Sequence, residues 1–231
     1  MFQKETVAVA VRETIRGVVV ARQRNQKARA LTENKLGCWN KMPKMPLIIA
    51  FYTPGPYEAE AARFKASLDK FALPYELDCL PCQGTWFANS HLRPGYLLDK
   101  RKKYPRTPLL SLDVDCVLHS DPLPHVAGIR TDFAYHIFRD IEPLPGTLLV
   151  GTTDNTRKLL YSWRQINNER PEKVDRVNFF EAIKRFGRAK IKKLPPEMCY
   201  IFDKSREVYP GVEPVIEHLQ ASRGLRDMIG K

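Results

Sequence analysis

The stretch Pro108-Leu-Leu-Ser-Leu-Asp-Val-Asp-Cys-Val-Leu-His-Ser-Asp-Pro122 decides how the rest of the chain is read. Leu109 to Leu112 is an apolar run bounded by Pro and by acids, the pattern of a short buried strand in a parallel sheet. Asp113 and Asp115 follow where that strand ends. Side chains alternate along extended backbone, so Val114 points away and the two carboxylates share one face at the strand's carboxyl end. Open α/β sheets bind their ligands at that edge. Two like charges so close call for a cation, and Mn²⁺ or Mg²⁺ shared with the phosphates of a substrate is the expected guest. The bland alternative is a pair of acids that merely closes a strand in solvent.

Upstream of the acids, Leu47-Ile-Ile-Ala-Phe-Tyr52 reads as a buried strand running into Thr53-Pro-Gly-Pro56. Glu58 to Phe71 is amphipathic, with Ala61, Phe64, Leu68 and Phe71 on one side, and Tyr75 to Leu80 is a second strand. Strand, helix, strand is the start of a βαβ unit, with a nucleotide-type ligand expected beyond the first strand. Gln83 to Arg93 is a polar loop carrying Trp86, Asn89 and His91, and Pro94 opens a helix that ends in the basic cluster Lys100 to Lys103.

Downstream, Asp132 to His136 and Thr147 to Val150 are strand-like, the second after a Pro-Gly turn. Asn155 to Asn167 and Asp175 to Phe186 read as helices. Leu194 to Phe202 reads as a Pro-led edge strand, and the segment Pro214 to Arg223 closes the domain with His218.

The charge is uneven. The 231 residues carry a net +12, and residues 1 to 45 hold ten Lys or Arg against three Glu, a surplus of seven. Val7 to Leu36 lacks Pro and reads as helical, so a basic helical arm over 1–45 is expected ahead of a folded domain over 46–231. Such a balance points to a polyanion as partner or to an electrostatic arm. No run approaches the roughly 18 apolar residues of a membrane span, so a cytoplasmic chain without membrane contact is expected. Five scattered cysteines suit reduced thiols, and Cys79-Leu-Pro-Cys82 has no second pair at zinc spacing and is expected to pack.

Asp113-Val-Asp115 admits two chemistries. In haloacid-dehalogenase-type phosphotransferases Asp113 would be the nucleophile and Asp115 the acid/base, with Thr152 and Lys158 as helpers. In the other, both acids hold a divalent ion that neutralises the diphosphate of a nucleotide sugar, with His218 as a late third ligand. A non-catalytic nucleic-acid-binding module is a third possibility.

The ordered set of a strand ending in Phe51-Tyr-Thr53, then Trp86, Asn89, Arg93 and Pro94, then Leu112-Asp-Val-Asp115, a Gly-Thr-Leu strand and a closing His218 resembles the nucleotide-diphospho-sugar transferases of the GT-A fold. Leu194-Pro-Pro-Glu-Met-Cys-Tyr-Ile-Phe-Asp203 with Pro214-Val-Ile-Glu-His-Leu-Gln-Ala-Ser-Arg223 is similar to glycosyltransferases encoded by bacteriophages, some of which decorate hydroxymethylated DNA bases. The resemblance implies an α/β GT-A domain with a mostly parallel sheet, a UDP-sugar donor, and Mn²⁺ or Mg²⁺ on Asp115 and His218, with Asp113 on the metal or on the ribose hydroxyls. It implies that Tyr52 and Thr53 meet base and ribose, that Trp86, Asn89 and Arg93 line the substrate site, and that Arg223 holds the leaving diphosphate. Asp175 would contact sugar or acceptor, although Asp175-Arg176 stands where such enzymes often carry Asp-Gln, and Arg93 stands where Lys is usual. A retaining transfer is the implied outcome, with DNA, a protein or a glycan as acceptor.

Overall fold

The computed structural model describes residues 44–224. The expected arm lies outside the described residues except for its last two positions. The core is a six-stranded sheet in the order β2-β1-β3-β6-β5-β7, built from Leu47–Tyr52 (β1), Tyr75–Cys79 (β2), Leu109–Leu112 (β3), Phe133–Phe138 (β5), Glu142–Val150 (β6) and Ile191–Lys193 (β7). β2, β1 and β3 run parallel, β6 is antiparallel to both of its neighbours, and β7 pairs in parallel with β5. Five strands therefore share one direction and β6 opposes them, as a mostly parallel sheet requires. A second sheet joins Cys116–Leu118 (β4), Tyr200–Ile201 (β8) and Ile216–His218 (β9) in the order β4-β9-β8.

Both faces of the large sheet are covered, which is why its strands read as continuous apolar runs. Ile48, Ala50, Leu110 and Leu112 face one core, with Phe64 and Leu68 of helix α1 (Glu58–Lys70) and Leu118 and Ile216 of the small sheet. Ile49, Leu109, Leu148 and Val150 face the other, with Leu97, Trp163 and Phe179. Those three come from α3 (Arg93–Lys103), α5 (Asp154–Glu169) and α6 (Asp175–Phe186), while the short α4 (Leu123–Val126) packs on the first core. The period-2 alternation within each strand assigns its residues to the two cores.

Three local expectations are corrected. The segment after Gln83 is not all loop: Thr85 accepts a hydrogen bond from the Ala88 N–H at 3.1 Å and caps a short helix, α2 (Trp86–Ser90). Pro145-Gly146 makes no turn, because β6 runs through it. The register slips there instead, so that Tyr135 faces Leu148 while His136 faces Leu144. Leu194 to Phe202 is not one strand. Its prolines, which lack the N–H a ladder needs, leave a 3₁₀ turn over Pro196–Cys199 and only two residues of β8.

Candidate active site

The acids lie where the chain leaves one sheet for the other. β3 ends at Leu112, β4 begins at Cys116, and the intervening Val114 is buried in the first core. That anchor turns the flanking carboxylates outward to the cleft. The Asp113 N–H donates to the Gly146 carbonyl at 2.9 Å, and the Asp115 carbonyl accepts from the Leu219 N–H at 2.8 Å. β9 pairs Cys116 with His218, which brings a residue a hundred positions away in sequence beside the acids.

One ligand atom each from Asp113, Asp115 and His218 lie within 4.8 Å of one another, the reach of a small divalent ion, and no other such trio occurs among the described residues. The ring of His218 is fixed by Thr147, whose hydroxyl lies 2.9 Å from Nε2. A His ligand held through its other nitrogen is the usual device for orienting a metal-binding imidazole. Gly146 makes room: a Cβ there would stand 2.9 Å from His218 Cε1 and 3.0 Å from Asp113 Oδ2. Two carboxylates and an imidazole are a donor set that could hold a divalent cation.

The electrostatics agree with an acceptor of positive charge. Burial pushes the Asp115 carboxyl above its ordinary pKa and the neighbouring Asp113 adds to the rise. Burial also raises Asp113, against the pull of Arg93. For His218, burial works against the charged ring, but Cys199 and Asp115 leave its pKa above the ordinary histidine value.

Arg93 ties the remaining acid to this centre. It donates to Asp113 at 2.6 Å and to the Pro145 carbonyl at 2.9 Å, and its Nε lies 3.5 Å from Asp175. Asp175, at the start of α6, also accepts from the Asn167 amide at 3.0 Å, and burial raises its pKa to about 6.

Two cavities meet at the acids. One of about 130 Å³ is lined by Tyr52, Thr53, Tyr57, Trp86 and Asn89 as well as Arg93 and the acids. The other, of about 420 Å³, is bounded by Asp175, Gly146, Cys199, Lys204 and His218. The sequence-derived residues Tyr52, Thr53, Trp86, Asn89, Arg93, Asp113, Asp115, Asp175, His218 and Arg223 thus all line one or both cavities. Arg223 is held in an ion pair with Asp203 on the rim of the larger one. Cys79 and Cys82 are exposed rather than packed as expected, because β2 is the sheet's outer strand; Cys82 sits 3.5 Å from the Asn89 amide.

Sequence reasoning missed Thr147 as the partner of His218, and Asn167 and Ser222. Ser222 lines both cavities. A Gly inside a strand was the available signal for the close approach at Gly146. Nothing in the sequence marked Asn167, whose role follows from where two helices cross. The helpers of the phosphotransferase alternative are elsewhere: Leu109 pairs with Val150 and Leu112 with Thr147, so Thr152 lies beyond the end of β3 opposite the acids, and Lys158 is exposed on α5.

No helix among the described residues is long and apolar enough to cross a membrane. No protein-family pattern matches the chain. No curated protein matches it. Among solved structures, the chain is similar to a glycosyltransferase involved in the glycosylation of the major capsid of PBCV-1, with a TM-score of 0.59 and 17% identity over 79% of this chain and 98% of that one. The described residues therefore have the mixed α/β architecture of a GT-A glycosyltransferase, with a mostly parallel sheet flanked by helices.

Proposed function

We propose that the chain is a glycosyltransferase that moves a sugar from a nucleotide-sugar donor, UDP-sugar by preference, to an acceptor hydroxyl, with Mn²⁺ or Mg²⁺ held by Asp113, Asp115 and His218. The observation that carries this reading is the meeting of those three side chains at the junction of two cavities. A bound divalent ion supplies charge neutralisation to the departing nucleoside diphosphate.

The chain's own groups do the rest by positioning and fixed charge. Tyr52, Thr53, Trp86 and Asn89 form the wall for base and ribose. Arg93 keeps Asp113 and Asp175 in fixed relation, and Asp175 faces the larger cavity as a contact for sugar or acceptor hydroxyls. Arg223, at the rim, reaches the leaving diphosphate when it lets go of Asp203. A retaining outcome fits this arrangement, since Asp175 is engaged by Arg93 and Asn167 and does not stand free as the base an inverting displacement needs. As acceptor we favour DNA carrying a hydroxymethylated pyrimidine, supported by the net charge of +12; such a base must be exposed from the duplex before transfer. A protein or glycan acceptor is the second reading, supported by the capsid-linked role of the similar glycosyltransferase.

A thermal-shift screen of nucleoside diphosphates with Mn²⁺ tests the donor site, because a ligand that binds only the native state raises the melting temperature. UDP with Mn²⁺ is expected to raise it and Asp115→Ala to cancel the rise. If no nucleoside diphosphate stabilises the protein in the presence of Mn²⁺, the reading fails.

A further inference from the structure

The positive charge of the described residues is concentrated in one segment. Residues 44–153 contain twelve Lys or Arg and twelve Asp or Glu, whereas residues 154–193 contain twelve against five. Between Lys184 and Lys193, six of ten residues are basic and none is acidic. This run is the last turn of α6, the left-handed turn at Gly187 (φ 69°) and the edge strand β7. Arg185 is neutralised by Glu169 and Glu181, and Lys193 by Asp140. Lys184, Arg188, Lys190 and Lys192 are exposed and form no ion pair among the described residues.

We propose that this basic ribbon binds the phosphate backbone of nucleic acid. The inference deepens the acceptor half of the proposed function and rests on it for its biological sense, though not for its test. Cations alone are sufficient for sequence-independent phosphate binding, since neutralised phosphates release their counterions. A membrane surface fits less well: Phe186, Ala189 and Ile191 pack into the core, so the ribbon presents no apolar side chain to insert among lipids. β7 lies three strands from β3 in the sheet order, roughly 15 Å at about 4.8 Å per strand, and Lys192, level with Ala134, Leu149 and Leu110, stands about 10 Å back from Asp113 along the strands at about 3.3 Å per residue. A duplex carrying one charge per about 1.7 Å of axis offers about eleven charges over the resulting diagonal of about 18 Å, so its length does not limit contact with both the ribbon and the cleft. Edge lysines also discourage strand-to-strand association, but Lys184 and Arg188 are not on the strand.

The test is fluorescence anisotropy of the full chain with a duplex of about 20 base pairs, titrated between about 50 and 200 mM salt. The wild type is compared with the quadruple variant Lys184→Gln, Arg188→Gln, Lys190→Gln, Lys192→Gln, whose fold is checked by its melting temperature. The expected result is a salt slope shallower by about three to four and affinity at least about tenfold weaker, with stabilisation by UDP and Mn²⁺ intact. Should the quadruple variant fold poorly, Lys190→Gln with Lys192→Gln is expected to lower the slope by about two. Unchanged slope and affinity would overturn the proposal, as would a wild type that binds phosphatidylserine vesicles and not duplex, or a variant that merely self-associates. Asp115→Asn in the same assay separates the readings: its duplex binding is expected to be unchanged while nucleotide binding is lost. A wild type that binds duplex through the ribbon but no nucleotide would sink the transferase reading and leave this one standing.

Discussion

Two acidic pairs with the same spacing lie in this molecule, one within β2 and one just past the end of β3, and behave oppositely. Glu76-Leu-Asp78 on β2 is surrounded by its own cations: Lys100 lies 2.5 Å from Glu76 and 2.6 Å from Asp78, Lys103 lies 2.6 Å from Glu76, and Tyr96 donates to Asp78 at 2.8 Å. Burial alone would raise Glu76, yet the hydrogen bonds from Lys100, Lys103 and Tyr104 hold it down at about 2. Asp113-Val-Asp115 has one arginine for two carboxylates, and both acids are shifted upward. A compensated pair is part of the scaffold. An undercompensated one, beside a fixed histidine and two cavities, is the geometry on which the proposed cation site rests.

The largest expected effect is at the uncompensated pair. Asp115→Ala should lower metal-dependent transfer on the order of 10³-fold or more, because several kcal/mol of charge stabilisation go with the ion. The metal-free variant should melt no lower than wild type, since a buried like charge has been removed. Turnover and melting curves with and without Mn²⁺ check both halves. A variant that keeps wild-type turnover would erase the distinction between the pairs.

At the compensated pair the outcome is reversed. Lys100→Met removes the cation shared by Glu76 and Asp78, leaving Lys103 and Tyr104 on Glu76 and Tyr96 on Asp78, and should cost about 1 kcal/mol of stability in urea unfolding, with Mn²⁺ affinity unchanged. If it weakens Mn²⁺ binding instead, the two clusters are not independent.

Acidity should sharpen the contrast between compensated and uncompensated carboxylates. Asp175, raised from 3.8 to about 6 by burial, holds its proton more tightly in the native state than when unfolded. Stability from this group is therefore full below about pH 4 and falls by about 3 kcal/mol as pH rises through 6. Glu76 has the opposite sign: its stabilisation is present above the unfolded value of 4.5 and is lost as pH falls toward 2. Urea midpoints across pH should show Asp175→Asn flattening the upper window and Glu76→Gln the lower. The reverse assignment would refute the pairing described above.

The smallest effects concern the supports of the histidine. Thr147→Val removes the partner of Nε2, and Gly146→Ala forces a methyl between His218 and Asp113. Each should weaken Mn²⁺ binding about tenfold, at the lower end for groups that orient a metal ligand. Calorimetric titration with Mn²⁺ reads the change. Unaltered affinity in both would mean that His218 is not held for an ion.

Much of this was open to reading in the chain because it is local. An apolar run that meets acids identifies β3 and the edge at which the acids lie, and helical periodicity located α1, α5 and α6 to within a few residues. The direction of β6 was not local: nothing near Pro145-Gly146 says that its carbonyls serve Arg93 and Asp113. Thr85 as a helix cap was visible in principle, whereas the hydrogen bond from Trp86 to the Tyr57 hydroxyl, 29 positions away, was not.

By itself, then, the sequence determined the residue types of the site, the apolar strand that carries two acids, and the imbalance of charge, since each is a matter of identity and short-range spacing. Only the tertiary structure decided which acidic pair was neutralised and which was left short of positive charge. The reason is physical: Lys100 reaches Glu76 across 24 positions and His218 reaches Asp115 across 103, and a charge is compensated by what lies within a few ångströms in space.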